Sequence, residues 1–512
     1  ELLDIIGDVD ALVTRSGTPL DGDILSKAGK LKVVARAGVG VDNIDLLEAS
    51  RKGVIIINAP TGNTLSAADH TMALMLSLIR KIPQAFNSIQ GGEWKRSNFV
   101  GYQLKGKKLL IIGLGRIGSE VARRARSFGM EVMAYDPYIQ PNRAEALGAE
   151  LLVDLEGAMA RADVITLHVP MTDETRGMIC KKTLKACKKG SFLINCARGG
   201  LVDEDACAHA LREGRLAGAA FDVYSSEPPV TVSHPLFAED MRSRVVLTPH
   251  LGANTYEAQS SVANIAVRNL CGVLEGQPYE HAVNLPFLEH SLEQGEKEFL
   301  SLARKIAYIA GNMLDQPVKK LKVVMRGPVF RGDNRSVCFE LPYKYSPFSI
   351  ASLKGLLEVY HGKELTYMSA PLMAMERGLE VEEIMGESRT YENLLEIVVE
   401  GEKQNVSFRA TVTEEGKKRI LSINDYPVDF VPESVLLLFH NHDRPGVIGK
   451  IGTLLGAAGV NIANFTLGRK EGSGLALGVM QIDSDIPGEA MEKLVEDADL
   501  VWLKMIDLRE EW

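Results

Sequence analysis

Short apolar runs recur through the first half of the chain, and helical stretches separate them. Runs of this length, bounded by polar or Gly-containing segments, predict buried strands. They fall at Ala11–Val13, Lys32–Ala35, Gly53–Asn58, Leu109–Ile112, Val132–Tyr135, Val164–His168, Ser191–Asn195, Ala217–Phe221 and Val245–Thr248. Ser66–Lys81 is apolar on most faces and predicts a long buried helix with Ser66 as its N-cap. A second helix is predicted from about Ala253 to Leu274. Alternation of this kind predicts a doubly wound parallel sheet in an α/β fold. Asn284-Leu-Pro286 marks a boundary, after which Lys, Glu and Met rise and the strands loosen, at Lys320–Val324, Leu395–Val399 and Val406–Thr411. No catalytic motif shows there. From Ser434 a β-α-β-β-α-β order predicts a ferredoxin-like unit, with helices at Val447–Ala458 and Gly488–Asp497.

A length of 512 residues predicts three or four domains, and 46% hydrophobic content lets each bury a core. The net charge of −9 argues against a general nucleic-acid binder, so an anionic substrate needs a local cluster of Arg and Lys. The six cysteines, at 180, 187, 196, 207, 271 and 338, form no C-x-x-C pair and no metal spacing. They are expected to be reduced, mostly buried thiols of a cytoplasmic protein, and no metal is expected. No apolar run is long enough to span a membrane and no signal peptide is visible. The chain opens at Glu1 inside what reads as a helix, so an earlier stretch, with whatever targeting it carried, is expected to have been removed.

The most informative segment is Gly113-Leu-Gly115-Arg-Ile-Gly118, between the strand Leu109–Ile112 and Asp136 at the end of the next strand. Strand, glycine turn, helix, strand and carboxylate in that order predict a dinucleotide site. The first glycine allows the turn, the second admits a pyrophosphate, and the third lets the helix pack on the strand. Arg116 and Ile117 open that helix, whose free N–H groups face the pyrophosphate. Asp136 can accept both ribose hydroxyls of NAD and would repel a 2′-phosphate.

Three further segments stand at the carboxyl ends of predicted strands: Asn195-Cys196-Ala-Arg198, Phe221-Asp222 through Glu227-Pro228, and Pro249-His250-Leu-Gly252-Ala253. Oxidation of an alcohol by hydride transfer needs a base, and His250 suits that task near neutrality. A carboxylate on its far nitrogen would fix the tautomer, as in proteolytic triads. Arg198 can clamp a substrate carboxylate with two parallel hydrogen bonds. Cys196, Asp222, His250, Gly252 and Ala253 are expected to line the cofactor, with Asp222 holding the nicotinamide carboxamide.

With these segments in hand, the chain resembles the D-isomer-specific 2-hydroxyacid dehydrogenases, and among them the long, serine-regulated branch. The resemblance covers nearly the whole chain and also rests on Arg36-Ala-Gly-Val-Gly-Val-Asp42-Asn-Ile-Asp45 and Gly62-Asn63-Thr-Leu-Ser-Ala-Ala68. It implies that Arg198, Glu227 and His250 are the catalytic set. It implies a Rossmann-like NAD domain over 62–252 and a split flavodoxin-like substrate domain, made of 1–61 without its first elements and 253–286. An α+β intervening domain over 287–432 and an ACT regulatory domain over 433–512 would follow. It implies NAD-dependent oxidation of 3-phospho-D-glycerate to 3-phosphohydroxypyruvate, the entry to serine synthesis, in a homo-oligomer. Arg15, Arg36 and Asn63 would join Arg198 in binding the substrate, and Trp94-Lys95-Arg96 would reach a neighbouring subunit. In the segment His440-Asn441-His442-Asp443-Arg444-Pro445-Gly446, and at Asn461 beyond it, the residues Asn441, Asp443 and Asn461 match the serine-binding positions of the family. Two other readings stand beside this one. A glyoxylate or hydroxypyruvate reductase needs neither a phosphate cluster nor a C-terminal sensor. An NAD-sensing corepressor shares the catalytic trio but turns over slowly or not at all.

Overall fold

The computed structural model describes residues 2–230, 233–332, 341–497 and 500–509. Glu1 and Cys338 therefore lie outside the described residues. Among these residues the strands form four sheets. In the first, β1 (Ala11–Thr14), β2 (Val33–Arg36) and β3 (Ile55–Ile57) run parallel in sequence order.

Helix α1 (Thr64–Ile79) leaves this lobe and buries Ala68, Met72, Met75 and Leu78 against the second sheet. It starts two residues before the expected cap, with Asn63 at the N-cap position. Ser66 lies in the first turn, and its hydroxyl pairs with that of Thr255 at 2.7 Å instead of capping. Helix α2 (Ile82–Gln90) follows, with Pro83 in its first turn, and leaves Ile82, Phe86 and Ile89 in solvent.

The second sheet holds β4 (Lys108–Ile112), β5 (Glu131–Tyr135), β6 (Ala149–Leu152), β7 (Val164–Leu167), β8 (Ser191–Asn195), β9 (Leu216–Phe221) and β10 (Val245–Leu247). Its order is β10-β9-β8-β7-β4-β5-β6, all parallel. Helices on both faces, α3 (Arg116–Ser127) and α4 (Glu204–Arg212) among them, make its strands near-continuous apolar runs. The strand order reverses between β4 and β7, so the loops after these strands part and leave a crevice.

Helix α5 (Tyr256–Glu275) returns to the first sheet, where Ala266 and Leu270 pack on Val33, Ala35 and Ile57. Asn284 closes the return by accepting from Ile56 N and donating to Val54 O. Two long helices then appear, α6 (Gln294–Met313) and α7 (Pro347–His361). They cross at Gly355, where a Cβ would collide with Arg304 O. They cover a mixed sheet ordered β12-β11-β13-β14-β15-β16. Its strands are β11 (Val318–Arg326), β12 (Glu380–Gly386), β13 (Leu394–Gly401), β14 (Asn405–Val412), β15 (Lys418–Ile423) and β16 (Tyr426–Phe430).

The last unit has the expected order β17 (Val435–His442), α8 (Val447–Ala457), β18 (Ile462–Arg469), β19 (Leu475–Ile482), α9 (Gly488–Asp497) and β20 (Leu500–Asp507). The sheet runs β18-β19-β17-β20. One face packs on its own helices, through Leu437, Phe439, Ile451 and Leu455. The other, through Leu436, Leu438, Val479 and Ile506, joins the core of the preceding domain. No helix among the described residues is long and apolar enough to cross a membrane.

Candidate active site

The turn after β4 is built as dinucleotide chemistry requires. Gly113 has φ +91°, and a Cβ on it would lie 2.7 Å from His168 O. Gly118 lets α3 press onto the turn, since a Cβ there would collide with Gly113 O. At Gly115 a Cβ would meet nothing within 4 Å, so this side of the loop is open for a ligand to approach. Arg116 and Ile117 begin α3 just beyond. Asp136 binds two backbone donors, Leu114 N at 2.8 Å and Tyr138 N at 3.0 Å. It thus caps the turn before Tyr138 and also latches the end of β5 to the glycine loop. A carboxylate has further lone pairs for ribose hydroxyls.

Beyond the ends of β8, β9 and β10 lies a cleft of about 810 Å³ between this domain and the N-terminal lobe. Arg15, Arg36, Asn63, Arg198, Glu227, His250 and Ala253 all line it. His250 Nδ1 and Glu227 Oε2 are 2.6 Å apart, and Glu227 Oε1 accepts from Tyr224 N at 3.1 Å. His250 holds φ +54°, a sparsely used conformation for a non-glycine residue. The hydrogen bond to Glu227 raises the imidazole above its ordinary pKa, against the opposing effect of burial. Burial is the largest single influence on Glu227 and raises it, but the bond to His250, the charge of that imidazole and the bond from Tyr224 N together outweigh it and hold this carboxyl low.

Arg198 lies 3.3 Å from Asp42 through Nε and donates from Nη1 to Ala197 O. Gly40 makes room for it, since a Cβ there would collide with Nη2. Burial first, and then the charge of Arg198, lower the pKa of Arg36. Arg36 Nε and Asn63 Oδ1 are buried without a hydrogen-bond partner. Cations that repel each other, beside an unspent donor and an unspent acceptor, fit a polar anionic ligand with more than one charge.

Asp222 is nearly inaccessible, at 1% exposure. Oδ1 accepts from Leu251 N at 2.7 Å and Thr248 Oγ1 at 2.6 Å, and lies 3.1 Å from His70 Nε2. Oδ2 accepts from Gly252 N at 2.8 Å and lies 3.7 Å from Cys196 Sγ. Burial opposes ionisation, yet the bonds from His70, Thr248 and Leu251 bring the carboxyl down to about 2. Oδ1 is thus fully engaged by the protein's own donors, while Oδ2, with one N–H donor and a distant thiol, keeps a lone pair for a ligand. Asp222 ties β9 to the Leu251-Gly252 turn behind His250. His70, in the middle of α1, was missed by sequence reasoning. His70, Cys196 and Asp222 each turn an atom into one spot, but those atoms already bond one another and their neighbours.

Comparison with known proteins agrees with this geometry. Residues 72–252 match the NAD binding domain of D-isomer specific 2-hydroxyacid dehydrogenases. Residues 296–424 match the D-3-phosphoglycerate dehydrogenase intervening domain, and 435–499 the ACT domain. D-3-phosphoglycerate dehydrogenase of Methanocaldococcus jannaschii is 40% identical over 99% of this chain and 94% of its own. The Bacillus subtilis protein of that name is 39% identical, over 98% of this chain and 92% of its own. The chain belongs to the D-3-phosphoglycerate dehydrogenase family. Among solved structures, the TT0316 protein from Thermus thermophilus is similar, with TM-score 0.51 and 36% identity. That match covers 55% of this chain and 88% of the other.

The ACT domain of this family member does not gather its expected effector residues within one chain. Asn441 is buried, its Nδ2 donates to His442 O, and Oδ1 has no partner. Asp443 pairs with Arg469 at 3.1 Å, and Asn461 donates to Asp483 at 2.6 Å. Register separates them: Asn441 lies level with Ala476, while Ile462, next to Asn461, lies level with Ile482 and Val435. That is roughly 20 Å along the strands. Cys187, Cys196 and Cys207 are buried thiols as expected, but Cys271 is exposed on α5.

Proposed function

We propose that this chain oxidises 3-phospho-D-glycerate to 3-phosphohydroxypyruvate. The observation that carries the reading is the 2.6 Å His250–Glu227 pair in one cleft with Arg15, Arg36 and Arg198. Bound NAD, held by the Gly113–Gly118 turn and Asp136, supplies the hydride acceptor. Glu227 occupies His250 Nδ1, which leaves Nε2 to take the hydroxyl proton. The imidazolium so formed is stabilised by the same carboxylate. Arg198 binds the substrate carboxylate and polarises the neighbouring carbon–oxygen bond. Arg15, Arg36 and Asn63 take the phosphate, which carries nearly two negative charges. Asp222 holds the nicotinamide carboxamide and also fixes the Leu251-Gly252 backbone behind the base.

The enzyme works as a homo-oligomer in this reading. Ile82, Phe86 and Ile89 on α2, and Trp94 and Tyr102 after it, are exposed apolar side chains that a second copy would cover. Serine is the effector we assign to the ACT domain. Thiols without disulfide partners among the described cysteines suit the cytoplasm, where we place the protein.

The test is NADH-dependent reduction of 3-phosphohydroxypyruvate beside unphosphorylated hydroxypyruvate, with and without millimolar L-serine. Strong preference for the phosphorylated substrate is expected, with inhibition by serine. Equal use of both substrates would replace this reading with a general hydroxypyruvate reductase. NADH binding without turnover would favour a sensor.

A further inference from the structure

A second carboxylate–imidazole pair lies behind the first. Glu204 opens α4, but it is not needed there as a cap, because Asp203 already accepts from Ala206 N. Its carboxylate is instead spent on the segment that carries Glu227. Oε1 accepts from Ser225 N at 2.8 Å, and Oε2 lies 3.0 Å from His234 Nε2. Both side chains are largely buried, at 11% and 10% exposure. His234 Nδ1 accepts from Leu236 N at 3.3 Å, so the ring proton sits on Nε2 and points at Glu204. One carboxylate therefore holds the chain on both sides of Glu227, at Ser225 and at His234.

What this holds in place is the rest of the site. The backbone at Tyr224 and Ser225 rests on Gly199, where a Cβ would collide with the Tyr224 carbonyl group. Gly199 adjoins Arg198. The Tyr224 ring packs edge-on to His234, and its hydroxyl donates to Thr248 O at 3.0 Å, two residues before His250. The N–H of Tyr224 orients Glu227 through Oε1.

We infer that Glu204 is a positioning residue for the reaction: with His234 it clamps the turn that carries Glu227, and so sets the Glu227–His250 hydrogen bond. Glu204 touches neither substrate nor cofactor; it acts through Ser225, Tyr224 and Glu227. The inference rests on the proposed roles of Glu227 and His250. It is specific about chemistry, because the clamp needs two acceptors facing two donors. Gln at 204 offers one acceptor and turns an N–H toward the other donor, and His234 cannot shift its proton without losing Leu236 N.

The experiment compares E204Q, H234L and H234Q with the unaltered enzyme and with E227Q. NADH-dependent reduction is followed across pH, NADH affinity by fluorescence, and folding by thermal melting. E204Q and H234L are expected to lose about ten- to a hundredfold in kcat, the cost of a misplacement of about an ångström. NADH affinity should stay within about twofold, since the dinucleotide turn is untouched. The midpoint of the pH profile should move down, in the same direction as in E227Q, because His250 loses part of its hold on Glu227. H234Q keeps a donor for Glu204 and an acceptor for Leu236, and should recover most of the rate. E204Q that binds NADH normally, with kcat and midpoint unchanged, overturns the clamp. Should E204Q fail to fold, equal kcat and equal midpoints for H234L and H234Q overturn it. A profile that E227Q itself leaves unmoved sinks the catalytic reading instead. A midpoint that moves in E227Q but not in E204Q sinks only the clamp.

Discussion

In the reaction proposed above, the bond between Glu227 and His250 makes the pH dependence a property of these two side chains and the charges around them. Reduction needs His250 protonated, to deliver a proton to the carbonyl. Glu227 raises the imidazole most, burial lowers it, Asp222 raises it and Arg198 lowers it. The reductive rate is therefore expected to fall as pH rises through a value above that of ordinary imidazole. The oxidative rate should rise through the same value. E227Q removes the largest raising influence, so its midpoint should shift down, with kcat lower by a factor on the order of 100. A kcat profile measured from pH 5 to 9 checks this, and a midpoint that stays in place removes Glu227 from its role. Arg198, Glu227 and His250 were legible as residues because each stands just past an apolar strand and suits hydride chemistry. His70 was not, because nothing within a buried helix distinguishes it until folding brings it to Asp222, 152 residues away.

Among the elements, the end of β5 is where we place the cofactor's specificity. Asp136 holds Leu114 N and so ties β5 to the glycine turn, and it is also the acceptor proposed for the ribose. D136A removes both the latch and the charge that repels a 2′-phosphate. The KM for NAD should rise about tenfold or more, as for the loss of charge-assisted hydrogen bonds. Discrimination against NADP should weaken. Assays with the two cofactors check both, and an unmoved preference would take Asp136 out of the ribose site. The strands of the parallel sheet were readable because burial on two faces makes each a short apolar run. β6 escaped, as an edge strand that carries Glu150 and only half-buries Leu151 and Leu152. Helix α6 carries a helical period, with Lys297, Ser301, Arg304, Lys305 and Tyr308 off the buried face, that the reading passed over, and α7 escaped for the opposite reason to β6. Residues 347–358 are all buried, so α7 shows no polar face and no helical period. The α+β class expected for 287–432 holds, but only its strands were placed in advance, and the two helices that form the domain's core were not.

At the scale of the whole molecule, serine regulation through Asn441, Asp443 and Asn461, as proposed, would need more than one copy, given the register of the ACT sheet. Asn441 and Asp443 lie at one end of the sheet and Asn461 at the other, so no single chain can close all three on one small amino acid. A two-fold pairing of ACT domains solves this, because it sets the Asn441 end of one copy against the Asn461 end of the next, and the reverse. Each site then draws residues from both chains, and serine bound there stabilises one arrangement of the pair. The other face of the sheet is buried on the preceding domain, so a change in pairing would be passed on through that shared core. The motif residues were legible in sequence, but their separation was not, since strand register is a property of the folded sheet. The prediction is complementation. D443A and N461A enzymes should each lose serine inhibition while keeping kcat. Co-assembled from one chain of each kind, a pair has one site with both defects and one intact site, and should regain part of its response. Dose–response curves for the two variants, alone and co-assembled through refolding or co-expression with two tags, decide it. Loss in both single variants with no recovery in the mixture would mean that each chain builds its own site, against the register seen here. Full response in both would move the effector away from these residues altogether.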